Sequence, residues 1–247
     1  MAIDLLGSGH HDVTIFEARD GVGGVWRANT YPGAACDVPS HLYSFSFDLN
    51  PDWSRKFSPQ DEILAYLEDV TDRHGLRPHL RLGTRIDRAE WDEDGARWEL
   101  TTDGGTTHHA DVLIPATGQL RLPRYPDLPG RGDFRGTQFH SAEWNHDHDL
   151  SDERVAVIGT GASAIQFVPE IVDQVSRLSV FQRSAPWVLP KPDRAFTTQE
   201  KERFRRHPRL MRAYRRSIFA RFDARFGLLF GSRAPGARLV EAGQAKY

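Results

Sequence analysis

Only one cysteine, Cys36, occurs among the 247 residues, so no disulfide can form within the chain. A reducing cytoplasm is the compartment that such a sequence leads one to expect. Charge of one sign is also scarce. Basic side chains number 32 and acidic ones 34, and the net charge of -2 argues against a nucleic-acid partner for the chain as a whole. No apolar run approaches the roughly 20 residues of a membrane span, so stable membrane insertion is not expected. The N-terminal residues lack the basic-then-apolar plan of a signal peptide. What remains, 39% hydrophobic and 27% charged, suits a globular class with chain enough for one or two domains.

The most informative stretch is RVAVIGTGASAIQF, residues 154 to 167. Val155 to Ile158 is a short apolar run fit for a buried parallel strand, and Gly159-Thr160-Gly161 follows at once. Gly159 lets the chain turn sharply out of the strand. At Gly161 a side chain would hold the backbone away from a diphosphate seated on the free N–H groups of the next helix, which Ala162 and Ser163 open. Ala164 takes the third small position, where helix meets strand. Ile165, Val168, Val172 and Val175 mark an apolar helical face, and Pro169 predicts a kink or a weakened turn within it.

Leu178 to Gln182 reads as the following strand, and Arg183-Ser184 stand at its end, where an NAD site usually has an acid. A guanidinium forks onto phosphate and a carboxylate repels it, so Arg183 points to the 2′-phosphate of NADP. The plainer alternative is a solvated arginine at a strand end. Ser163 has a rival reading too, as the nucleophile of an α/β hydrolase elbow, but the second elbow glycine is missing.

Nearer the N-terminus, His11 to Glu17 reads as a strand with an acidic end, followed by Gly21-Val22-Gly23-Gly24-Val25-Trp26. Glu17 stands where a ribose-binding carboxylate would. Asp111 to Gly118, DVLIPATG, gives a further buried strand whose end, Thr117 and Gly118, allows close approach of a nucleotide. Ahead of the glycine turn lies Phe134-x-Gly136-x-x-x-His140-x-x-x-Trp144.

These stretches, with YPGAACDVPSHLYSFSF at 31 to 47, resemble the class B flavoprotein monooxygenases, and within them the Baeyer-Villiger type. Trp144 favours that branch, because sister enzymes that oxidise amines and sulfides carry Tyr or Phe there. Asn145 departs from the family's usual Pro or Asp. The resemblance implies an enzyme using FAD, NADPH and O2 to insert oxygen into a ketone, giving an ester or lactone. It implies an α/β fold of two Rossmann-like, three-layer dinucleotide-binding domains. Gly24, Trp26, Asp37, Thr117 and Gly118 fall with Glu17 on the FAD side, and Gly159 to Ser163 with Arg183 and Ser184 on the NADP side. Asp37 matches a catalytic aspartate beside the flavin that pairs with an arginine expected beyond Tyr247. His140 and Trp144 are expected at the joint between domains.

Both domains are expected to be incomplete. A phosphate-binding unit needs about thirty residues before its ribose acid, and Glu17 comes far sooner. Family members are much longer, so the chain reads as an internal portion: residues 1–118 a partial FAD domain, 119–150 a linker holding the fingerprint, 151–247 a partial NADP domain with a helical insertion. The isolated chain is expected to lack activity. A non-catalytic NADP-binding module, completed by a second chain, explains the same residues.

Other features have modest readings. Met1 to Leu6 resembles a helix stopped by Gly7. Ser58 is expected to cap a helix whose first turn holds Pro59, with Ile63, Leu64, Leu67 and Val70 buried, and residues 80–109, with the Gly104-Gly105 turn, predict an antiparallel meander in the FAD domain. Cys36 is expected to be a buried thiol, and His140, His146 and His148 an exposed polar loop with no metal. The basic stretch of residues 197–225 carries a stripe of Phe204, Leu210, Tyr214, Ile218 and Phe222, fit to lie on an anionic membrane or nucleic acid; the resemblance implies instead a helical insertion that packs on the half of the family fold beyond this chain. A Gly- and Ala-rich tail closes the chain.

Overall fold

The computed structural model describes residues 1–120, 122–186, 188 and 190–230; the Gly- and Ala-rich tail lies outside them. The chain forms two compact units that interleave in sequence, Met1–Ala34 with Pro59–Val188, and Ala35–Ser58 with Leu189–Tyr247.

The first unit opens with helix α1 (Ala2–Gly7), in which Gly7 is the last helical residue and Gly9, at φ +92°, follows the end, and strand β1 (Ile15–Phe16). Helix α2 (Val25–Ala28) starts from Gly24, and α3 (Gln60–Arg73) packs on it. Strand β2 (Leu80–Arg81) lies parallel to β1. The predicted meander is present as β3 (Ile86–Asp92), β4 (Arg97–Thr102) and β5 (Thr107–Ala110), paired antiparallel in that order. Strand β6 (Arg154–Ile158), helix α4 (Ala162–Ile171) and strand β7 (Arg177–Phe181) then make a parallel β-α-β unit, the Rossmann arrangement, with Ile158 opposite Phe181.

Three expectations are corrected. Ser58 does not cap α3: Pro59 holds that position, and the buried Ser58 hydroxyl is 2.8 Å from that of Ser40. Inward on α3 are Ile63, Tyr66, Val70 and Thr71, whereas Leu64 and Leu67 are half-buried. On α4 the inward residues are Phe167 and Ile171, and Ile165 and Val172 are exposed. The inner seam follows what packs on it, namely Tyr31, Trp144, Leu150, Val155 and Leu178 around Val157, Phe167 and Ile171. The third correction concerns Asp111 to Gly118. Among the described residues this run joins no ladder, and Val112 is 72% exposed, because no strand lies alongside it.

The second unit is built on helices α5 (Thr198–Arg206) and α6 (Pro208–Phe230). Thr197 and Glu200 form a capping box on α5, and Arg194 grips the Glu200 carboxylate at 2.6 and 2.9 Å. That pairing holds the Glu200 carboxyl down at about 2. Part of the stripe packs within this chain: Phe204 and Tyr214 surround the buried His41 with Phe196, at ring separations of 4.8 to 5.2 Å, whereas Phe222 is exposed. Among the described residues no helix is long and apolar enough to cross a membrane.

Candidate nucleotide-binding site

The glycine turn lies open. Gly159, at φ +108°, donates its N–H to the Phe181 carbonyl at 2.9 Å, tying the end of β6 to the end of β7. Gly161 is the N-cap of α4 and no side chain caps the helix. The first amide to find an intrahelical partner is that of Ile165, bonded to the Gly161 carbonyl at 3.1 Å, so the N–H groups of Ala162, Ser163 and Ala164 are unspent. A Cβ placed on either Gly159 or Gly161 would meet nothing within 4 Å. Free donors, the positive end of a helix and open space together fit a diphosphate.

Arg183 and Ser184 are exposed just past the end of β7, beside this turn, since adjacent strands run roughly 5 Å apart. Among the described residues the Arg183 guanidinium has no ion-pair partner. Thr160 and Ser163 are half-buried, and among the described residues no hydrogen bond joins a histidine to Ser163.

Within the fingerprint, Trp144 is the residue seen against the same element. Trp144 stands 5.2 Å from Phe167 of α4 and 5.2 Å from Phe139. Phe134 lies over Gly136, where a Cβ would come within 2.7 Å of its ring. His140 Nδ1 accepts the Ala142 N–H at 3.1 Å, and its ring meets Tyr125 edge-on. His146 and His148 turn to different partners, Thr30 at 2.7 Å and Glu153 at 3.0 Å.

Around the second set of residues, Glu17 follows β1 directly, and its Oε1 accepts the Arg19 N–H at 2.9 Å. Its other oxygen has no partner among the described residues, which leaves it fit for a ribose hydroxyl. A cleft of about 240 Å³ opens beside it, lined by Ala18, Arg19, Arg85, Asp103 and Glu143 among others. Gly24 caps α2, and the Trp26 carbonyl accepts from Gln60. Thr117 and Gly118 are exposed at the end of the unpaired run, Gly118 at φ +71°.

In the second unit Asp37 is exposed and faces Lys191, with 3.5 Å between Oδ1 and Nζ. The cation beside it among the described residues is thus a lysine that sequence reasoning missed, 154 positions away and flanked by prolines. Cys36 is buried, and burial pushes its thiol pKa up, which keeps it protonated and unreactive. The contact of Tyr31 with Gln166 was also missed.

Comparison with known proteins decides the family. The model for pyridine nucleotide-disulphide oxidoreductases matches residues 40–221, and that for NAD(P)-binding Rossmann-like domains matches residues 2–68. The chain belongs to the pyridine nucleotide-disulphide oxidoreductase family. It is 51% identical over 232 residues to a Baeyer-Villiger monooxygenase of Streptomyces coelicolor, covering 94% of this chain and 42% of that protein. A Baeyer-Villiger monooxygenase of Pseudomonas aeruginosa is 48% identical, with 91% and 43% covered. Among solved structures, an oxidised steroid monooxygenase bound to NADP matches with a TM-score of 0.76 and 42% identity, over 88% of this chain and 42% of that one. Cyclohexanone monooxygenase from Rhodococcus sp. Phi1 bound to NADP+ gives 0.76 and 37%, over 83% and 40%. The chain therefore spans less than half the length of the relatives it matches.

Proposed function

We propose that the chain is the nucleotide-binding portion of a flavin-dependent monooxygenase that uses NADPH and O2 to insert oxygen into a ketone, yielding an ester or lactone. The observation that carries this reading is the uncapped N-terminus of α4 set beside Arg183, which is exposed and has no ion-pair partner among the described residues. FAD supplies the oxygen-transferring chemistry when bound; this chain's residues bind, orient and shield. Gly159 to Ser163 hold the NADP diphosphate, and Arg183 with Ser184 selects its 2′-phosphate. Glu17 takes a ribose hydroxyl of FAD, with Gly24, Trp26, Thr117 and Gly118 along the same nucleotide, and Asp37 beside the flavin with its charge balanced by Lys191. Phe134, Gly136, His140 and Trp144 set the approach to α4.

A second reading has its own observation. Residues 112–118 join no ladder among the described residues and are exposed at Val112 and Ile114, a segment that a strand from a complementing chain would pair with. On that reading the chain alone binds NADP, releases FAD and turns over no ketone, until its partner is added.

Titration of the chain with NADP+ and NAD+ tests the proposal. Tighter binding of NADP+, lost on Arg183→Ala, is expected. Equal affinity for the two nucleotides would remove the role assigned to Arg183, and no binding of either would remove the proposal.

A further inference from the structure

The turn Asn29–Ala34 is fastened to the nucleotide-binding segment at three points. Thr30 Oγ1 lies 2.7 Å from His146 Nε2, two residues past Trp144. The Tyr31 hydroxyl donates to Gln166 Oε1 at 3.0 Å, and its ring meets Phe167 edge-on at 6.1 Å. Gly33, at φ +74°, lies so close to α4 that a Cβ would come within 2.9 Å of the Gln166 carbonyl oxygen and 2.8 Å of Glu170 Cγ.

Gln166 belongs to the half of α4 nearest the glycine turn. Pro169 brings no N–H to the helix interior, so the Ile165 carbonyl has no intrahelical donor four residues on and α4 is weakest just past Gln166. Beyond that point Ile171 is buried and anchors the far end. The near half, with three unspent amides, is the part that a bound diphosphate would order. A phenol and an amide that meet half-buried hold a defined geometry, which ring packing alone does not.

Resting on the NADP reading above, we infer that Tyr31 and Gln166 are positioning residues that transmit nucleotide occupancy at the N-terminus of α4 to the turn 29–34. Asp37 follows six residues after Tyr31 in the chain. Binding that orders one end of a contact network orders the other, by an amount equal in both directions.

Hydrogen exchange of the 247-residue chain, with and without saturating NADP+, tests the link. In the unmutated chain NADP+ should slow exchange in both 159–166 and 29–34. In Tyr31→Phe, and independently in Gln166→Leu, the first protection should persist and the second be lost, with β6 as protected as before. A purely structural contact would instead raise exchange at 29–34 equally with and without nucleotide. Unresponsive residues 29–34 in the unmutated chain, or an undiminished response in both variants, would overturn the inference and leave the NADP reading standing. Absence of protection at 159–166 would strike the NADP reading itself, and the link with it.

Discussion

The indole of Trp144 rests 5.2 Å from the ring of Phe167, tilted at 57°, so the last residue of the fingerprint is seated directly on α4. Phe167 in turn is buried against Val157 and Ile171. The fingerprint thus contributes to the core that holds α4 on β6. Trp144→Ala should destabilise the chain by about 2 kcal/mol, less than a fully buried aromatic because Trp144 is only half-buried. Trp144→Phe should lose less. Urea unfolding measures both, and an alanine variant as stable as the parent would contradict the packing role.

Gly161 permits a test that separates binding from stability. Aspartate is a favoured N-cap and meets open space here, so Gly161→Asp should unfold no earlier than the parent. Its carboxylate would occupy the place proposed for the diphosphate and repel it. NADP+ affinity should fall at least about tenfold, or roughly 1.4 kcal/mol. Thermal unfolding and equilibrium dialysis report the two quantities, and unchanged affinity would place the diphosphate elsewhere.

His41 gives the second unit an acid sensitivity. Its Nε2 is buried with no partner among the described residues. Desolvation lowers its pKa from 6.5 to about 4, and Glu200, the acid facing it, pulls weakly the other way. Phe196, Phe204 and Tyr214 supply the rest of its surroundings. Above about pH 6.5 the ring is neutral folded or unfolded and costs nothing. As pH falls toward 4 the unfolded chain binds the proton and the folded one does not, so up to roughly 3 kcal/mol of stability is lost across that window. Replacing His41 by Phe should flatten this limb of the stability profile in denaturant titrations at several pH values; an unaltered slope would assign the acid sensitivity to other groups.

Much of the nucleotide element was legible because short-range chemistry dictates it. An apolar run followed by Gly-x-Gly predicts β6, the turn and α4, and the Gly104-Gly105 turn predicts the meander. Features that depend on neighbours were less legible. DVLIPATG has the composition of a buried strand, but a strand exists only where another lies beside it, and among the described residues none does. The inward face of α4 was misread because Ile165 and Val172 match a helical period as well as Phe167 and Ile171 do. Trp144 and Tyr31, distant in sequence, decide between them. The salt bridge from Asp37 to Lys191 and the hydrogen bond from Tyr31 to Gln166 join residues 154 and 135 positions apart, with no local pattern to announce either.

The claim at the centre is that the open end of α4 receives a dinucleotide diphosphate. A crystal structure of the chain soaked with NADP+ tests it most directly. Phosphate oxygens within hydrogen-bonding distance of the Ala162 and Ser163 amides, with the 2′-phosphate at Arg183, are the predicted result. A fully occupied nucleotide bound away from Gly159–Ala164 would contradict it.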